Sequence, residues 1–275
     1  MKVISLLYHD VVEKNSYNES GFLSDGANIY KLDIKVFKRH LHYIHSNIKS
    51  SPIIVSELQL SKIYYEKRIP TILTFDDGGI SAYTNIFPLL EQYSWKAHFF
   101  ITTKFIGTNT FVSKDQIISM HNSGHIIGTH SHTHPDTISK IGISKIRDEW
   151  NKSKTILSDI IGEEIIVASI PGGYFSQDVA KVASEVGIRF LFTSEPITKP
   201  VVIDDCIVLG RFTILGEMSP AVSGNIVSSF YPNRIKQYMS WNSKKLLKIL
   251  LGNKYLLLRK YIINNKNHKA PINLK

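Results

Sequence analysis

The chain has 275 residues, 43% of them hydrophobic, with 33 Lys or Arg against 23 Asp or Glu and a single cysteine. That length suits one large α/β domain or two small ones, and it buries a full hydrophobic core without covalent staples. One cysteine, Cys206, excludes an internal disulfide and a Cys-rich zinc module, so any metal site has to be built from His and carboxylate side chains.

The formal net charge of +10 is unevenly spread: from Met239 to the end there are nine Lys or Arg and no Asp or Glu. A polyanion or an anionic membrane surface fits such a tail, and so does plain solubility. The opening run, Met1 to Asp10, has too short an apolar stretch for a signal-peptide core and reads as a first strand. No run approaches the length of a bilayer span, and the expectation is a cytoplasmic protein.

In chain order, apolar runs bounded by turn residues predict strands near 3–8, 70–75, 96–102, 125–130, 165–170, 189–193 and 206–212. Segments of helical period predict helices near 33–47, 80–93, 114–122, 142–161 and 177–186. Ser113 and Gln116 form a capping-box start, and Gly124, Gly162 and Gly187 act as stop signals. This alternation implies a mainly parallel α/β sheet wrapped by helices, and seven strands suggest a barrel. The segment 11–30 is a long polar loop, of the kind that is functional or mobile. Residues 1–215 read as one domain. Residues 216–275 read as a basic, amphipathic helical tail, with a helix start at Trp241-Asn242-Ser243 and an interruption at Gly252-Asn253.

Chemistry concentrates at predicted strand ends. Thr74-Phe75-Asp76-Asp77-Gly78-Gly79 sends an apolar strand into two adjacent carboxylates at the carboxyl rim, where ligands bind in α/β folds. Neighbouring side chains there diverge, so one can bind a metal while the other faces water or substrate. An Asp-Gly turn with Asp77 as a helix cap is the plainer alternative. The second run, Gly128-Thr129-His130-Ser131-His132-Thr133-His134-Pro135-Asp136, holds three histidines in five residues, hard to explain by packing because each buried imidazole needs two partners. His130 and His134, four apart, share a face; His132 joins them if the segment is extended. Two imidazoles and a carboxylate leave coordination positions open, as catalytic zinc or other divalent transition-metal sites do. His9, in Leu6-Leu7-Tyr8-His9-Asp10, is a proton donor if the same rim holds the metal, and otherwise structural. Ser169-Ile170-Pro171-Gly172-Gly173-Tyr174 ends another strand, its glycines letting backbone N–H groups approach a ligand. Arg211, in Gly210-Arg211-Phe212, either orients Asp76 or sits in a surface ion pair.

Together these residues resemble the polysaccharide deacetylases, carbohydrate esterase family four or the NodB-homology family, from His9 to about Phe212. The resemblance is carried by Leu73 to Gly78, Tyr83-Thr84-Asn85, Pro88-Leu89-Leu90, Lys96 to Ile101 and Gly124-His125 to Pro135. It implies a distorted (β/α)7-type barrel, Asp76 as general base, Asp77, His130 and His134 as metal ligands, and zinc as the metal, with cobalt, manganese or nickel as alternatives. The Tyr8-His9-Asp10 start is similar to the branch of biofilm poly-N-acetylglucosamine deacetylases, which implies His9 as general acid. Pro171, Gly172, Gly173, Tyr174 and Arg211 are the expected substrate-binding residues. Two departures stand out: Ser169 where the family's third motif carries Arg, and no His in Val208-Leu209-Gly210-Arg211. Arg211 is the candidate substitute for the missing Arg. The implied activity is removal of N-acetyl groups from an N-acetylhexosamine-containing polysaccharide or its precursor, with a weak or inactive carbohydrate-binding member of the fold as the alternative. Peripheral membrane contact through residues 240–275, at the inner face, is a further expectation, and nucleic acid is not an expected partner.

Overall fold

The computed structural model describes residues 2–48, 50–58, 69–173, 175–228 and 232–251, with the side chains of the last segment described as far as Leu246. The strands are β1 (Ile4–Tyr8), β2 (Val11–Val12), β3 (Leu32–Asp33), β4 (Thr71–Phe75), β5 (His98–Ile101), β6 (Ile126–Thr129), β7 (Val167–Ser169), β8 (Phe190–Phe192), β9 (Val201–Ile203), β10 (Cys206–Leu209) and β11 (Phe212–Thr213). The helices are α1 (Asp25–Asn28), α2 (Ile34–Asn47), α3 (Phe87–Gln92), α4 (Lys114–Asn122), α5 (Ile143–Ile161), α6 (Gln177–Glu185), α7 (Ala221–Val227) and α8 (Pro232–Leu251). Among the described residues, nine strands form one curled sheet in the order β11-β1-β4-β5-β6-β7-β8-β10-β9, and β2 pairs with β3 separately. All neighbours in the large sheet run parallel except β9 and β10. The result is an incomplete α/β barrel with helices outside, as the sequence implies.

Strand sequences such as Ile4-Ser5-Leu6-Leu7-Tyr8 and Thr71-Ile72-Leu73-Thr74-Phe75 are buried along their whole length, as parallel strands covered on both faces must be. Alternate residues face opposite layers. Leu73, Phe99 and Ile101 pack outward with Phe37 and Leu41 of α2 in the largest core. Ala168, Leu191 and Val208 pack outward against α5 and α6 through Trp150 and Val179. Ile72, Phe100, Val167, Phe192 and Leu209 form the inner layer with Val3. Helix starts follow the sequence signals: Asp33 caps α2, Ser113 and Gln116 make the capping box of α4, and Gly162 ends α5 in the left-handed region.

Four expectations are revised. The single strand over 206–212 is two strands: β10 pairs with β8, and after Gly210-Arg211 the chain crosses to the opposite edge, where β11 pairs with β1. That crossing draws the two edges of the sheet together. Val201-Val202-Ile203, not predicted, forms an edge hairpin with β10 through a turn at Asp204, whose φ is 50°. The helix over 80–93 opens as a π-helical turn, Ala82–Ile86, before α3. Finally, α8 starts at Pro232, a favoured first helical residue, and Trp241-Asn242-Ser243 lie mid-helix. Gly252-Asn253 lies outside the described residues. Ile226 and Val227 of α7 join the largest core.

Candidate active site

Parallel register decides which side chains meet. Tyr8 pairs with Phe75, Phe75 with Phe99, and Ile101 with Thr129, so the residues just beyond these strands, His9, Asp76 and His130, share the carboxyl rim. A hydrogen bond from Asp76 N–H to the Tyr8 carbonyl, 3.0 Å, extends β4 by one residue alongside β1. Asp77 then turns into the left-handed region at φ 76°, followed by Gly78 at φ 81°, which separates the two carboxylates in direction. A second turn in the left-handed region, at Ser131 (φ 65°) and His134 (φ 57°), folds the histidine run back on itself.

The result is a compact group. One ligand atom from each of Asp77, His130 and His134 lies within 4.8 Å of the others. Asp77 Oδ1 stands 3.4 Å from His130 Nε2 and 3.5 Å from His134 Nε2. His130 Nδ1 donates to the Ser169 carbonyl at 3.0 Å, so its proton is on Nδ1 and a lone pair on Nε2 faces the carboxylate. A lone pair and a carboxylate oxygen at that separation repel unless a cation lies between them. Ligand atoms about 2.1 Å from one tetrahedral zinc stand about 3.4 Å apart, which is the spacing found. The donor set of two imidazoles and one carboxylate fits a divalent transition metal. His132, left open by the sequence, is excluded from the group: its Nδ1 is 2.9 Å from Thr103 Oγ1, and its backbone N–H, with that of Thr133, is held by Glu149.

Asp76 is clamped separately. Arg211, fully buried, donates from Nη1 to Asp76 Oδ1 at 2.6 Å and from Nη2 to Oδ2 at 2.8 Å. Its other bonds go to Thr74 Oγ1 (3.2 Å), Ser169 Oγ (2.7 Å) and the Thr193 carbonyl (2.9 Å, from Nε). Ser169 Oγ in turn donates to Asp76 Oδ2 at 3.1 Å. The guanidinium lies over the rings of Phe100 and Phe192 in the inner layer. Burial pushes the Asp76 carboxyl up, but Arg211, with His130 and His9 behind it, outweighs burial and holds its pKa below the usual carboxylate range. Asp77 is likewise held low, burial being overcome by the neighbouring His130, His9 and His134.

Arg211 is therefore not a surface residue and offers nothing to a ligand; the expectation of substrate contact is corrected to one of positioning Asp76. The His9 ring lies 4.5 Å from that of Tyr30, tilted by 37°, and its Nδ1 is buried with no hydrogen-bond partner among the described residues. Pro171, Gly172 and Gly173 form a short turn at the same rim, two to four residues past Ser169. Gly172 there is exposed at φ 62°, while a Cβ on Gly173 would meet Ser194 Oγ at 2.5 Å. Tyr174 lies outside the described residues. Thr74 and Thr193 were not singled out from sequence, since isolated threonines in strands carry no signal of their own.

Known proteins resemble the chain in sequence and in fold. Residues 65–191 match the polysaccharide deacetylase family model. Over that stretch, a little under half of its length, the chain is similar to that family. It is 24% identical over 196 residues to YxkH of Bacillus subtilis (strain 168), covering 71% of this chain and 65% of that one. A poly-beta-1,6-N-acetyl-D-glucosamine N-deacetylase of Staphylococcus epidermidis is 24% identical over 207 residues, covering 69% and 71%. The solved structure of IcaB from Ammonifex degensii superposes with a TM-score of 0.67 at 18% identity, covering 82% of this chain and 97% of that one. The chain spans between 45% and 65% of the first three curated relatives it matches. Asp76, Asp77, His130 and His134 lie within the matched residues, while His9 and Arg211 lie outside them.

Proposed function

We propose that this chain is a polysaccharide deacetylase, a metal-dependent hydrolase that removes N-acetyl groups from an N-acetylhexosamine-containing polysaccharide or its precursor. The observation that carries the reading is the convergence of Asp77, His130 and His134 beside an Asp76 carboxylate that Arg211 grips with both nitrogens. The relatives named for poly-beta-1,6-N-acetyl-D-glucosamine and for peptidoglycan point to an N-acetylated glycan as the substrate class.

Asp77, His130 and His134 would hold the cation, with zinc the best match and cobalt, manganese or nickel as alternatives. When bound, it supplies Lewis acidity to the acetamide carbonyl and lowers the pKa of water. Asp76, kept ionised by Arg211, accepts the proton of the attacking water. The Gly172 N–H, in the turn after Pro171, donates to the carbonyl oxygen as it gains charge. His9, beside Asp76 through the β1–β4 pairing, protonates the departing amine, which is a poor leaving group as an anion. Acetate and a free amino sugar result. Arg211, bonded to both Asp76 and Ser169, favours an active centre over the weak or inactive alternative, which rests on Ser169 standing in place of Arg.

The described part of α8 supports peripheral contact with an anionic membrane. Ile235, Tyr238, Met239 and Leu246 are exposed at helical spacing among Lys236, Lys244 and Lys245. No helix among the described residues is long and apolar enough to cross a membrane.

The test is acetate release from N-acetylglucosamine oligomers of different linkage, on protein stripped of metal and then supplied with zinc, cobalt, manganese or nickel. Activity should return with metal, and Asp77→Ala and His134→Ala should lose bound metal and acetate release together. Full activity in metal-free Asp77→Ala protein refutes the reading.

A further inference from the structure

Lys31 closes the polar 11–30 segment and is 2% exposed. A buried ammonium is costly unless each of its three protons finds an acceptor. Each does: Nζ donates to the carbonyls of Tyr17 at 2.5 Å, Ser20 at 2.7 Å and Phe22 at 2.8 Å. Residues 17–22 are thus wrapped around one cation.

Asp10, one residue beyond His9, completes the knot. Its Oδ1 accepts from Ser20 Oγ at 2.5 Å and from Ser81 Oγ at 2.8 Å. Two glycines make room for the carboxylate: a Cβ on Gly79 would lie 2.0 Å from Oδ1, and one on Gly21 would lie 2.1 Å from Oδ2. Gly79, in the Asp76-Asp77-Gly78-Gly79 run, therefore serves this knot.

What the knot presents to the site is Phe22. Its ring stands 4.9 Å from the His134 imidazole, tilted by 50°, and meets Phe105 and Phe111 edge-on at 5.2 and 5.1 Å. Metal-binding imidazoles are oriented by the groups behind them. His130 is oriented by the Ser169 carbonyl. His134, on a backbone at φ 57°, has the face of Phe22 against its ring.

We propose that Lys31 is a positioning residue for His134: by gathering three carbonyls of residues 17–22 it sets Phe22 against the imidazole and keeps that ring turned toward Asp77. The inference rests on the metal-site reading above. It is tested by zinc titration of the full chain against a chromogenic chelator, for the wild type, Lys31→Met, Phe22→Ala and the double variant, with a thermal melt of each metal-free protein. Lys31→Met and Phe22→Ala should each weaken zinc binding about tenfold or more. The double variant should be no weaker than the weaker single, because Lys31 acts through Phe22. A purely structural Lys31 would lower the melting temperature and leave zinc affinity alone. Wild-type affinity in Lys31→Met, or losses that multiply in the double variant, overturns the proposal. If Lys31→Met does not fold, Phe22→Ala decides, and unchanged affinity there overturns it too. Failure of the wild type to bind zinc sinks the metal-site reading and this inference with it, whereas zinc binding undisturbed in the variants sinks this inference alone.

Discussion

Replacing Arg211 with Met keeps an unbranched apolar stem and removes the charge and all five of the hydrogen bonds. Arg211 is fully buried and Asp76 is 5% exposed, so the substitution leaves an unpaired carboxylate where water does not screen it. Breaking a buried pair from one side costs about 3–5 kcal/mol, a large share of the roughly 5–15 kcal/mol that holds a typical domain folded. A second consequence follows from linkage. In the wild type the Asp76 pKa is depressed, so the pair's contribution is present above the unfolded carboxylate pKa and is lost as pH falls through the folded value. Without Arg211, burial acts with less opposition and the Asp76 pKa rises, moving the acidic limb of the kcat/KM profile to higher pH. Urea unfolding at neutral pH measures the first effect, and acetate release from pH 4 upward measures the second. Arg211→Met combined with Asp76→Asn should regain stability relative to Arg211→Met alone, since the orphaned charge is gone. A loss of under about 1 kcal/mol with an unmoved acidic limb refutes the clamp.

Two further outcomes are expected. His98 is fully buried, donating from Nδ1 to the Leu73 carbonyl and accepting from Val55 N–H at Nε2, and burial pulls its pKa down to about 3. Its folded pKa lies below the unfolded value near 6.5, so stability is complete above that pH and falls by up to about 1.4 kcal/mol per unit as pH drops toward 3; denaturant midpoints at pH 7 and pH 5 check this, and equal midpoints contradict it. Removing residues 240–275 should abolish sedimentation with anionic vesicles at low salt while acetate release from soluble oligomers persists; unchanged sedimentation rules the tail out.

The strands that carry the site were legible because each is an apolar run ending in residues that have no reason to follow one. Phe75 into Asp76-Asp77 and Thr129 into His130 mark the carboxyl rim wherever the exact strand ends fall. Helix limits came from caps that satisfy backbone N–H groups, and Ser113, Gln116 and Gly162 do in the structure what their spacing implied. Less visible were features that depend on long-range pairing. Whether 206–212 is one strand or two turns on which edge each half meets, and periodicity does not record that. Lys31 is least legible of all: a lysine among Asn, Ser, Gly and Tyr reads as solvated until the carbonyls of Tyr17, Ser20 and Phe22 are seen to close on it.

The missing motif arginine shows how such a site tolerates change in sequence position. Asp76 needs a planar cation that reaches both carboxylate oxygens, and nothing requires that cation to come from the strand bearing Ser169. Because Gly210-Arg211 carries the chain from β10, beside β8, across to β11, beside β1, the Arg211 side chain enters the barrel above Phe100 and Phe192, where it meets Asp76. A large residue at 169 would occupy that space. Serine leaves it open and adds a hydroxyl that bridges Arg211 Nη2 and Asp76 Oδ2. The arginine absent at 169 is then one half of an exchange, small for large at 169 and a guanidinium supplied from 211. On this account Ser169→Arg in the presence of Arg211 should damage the site, because two guanidinium groups cannot share one buried carboxylate without leaving a charge unpaired. Ser169→Arg with Arg211→Met should recover part of the acetate release lost in Arg211→Met, and failure of that recovery, with the double variant folded, would show that the position of the arginine matters as much as its presence.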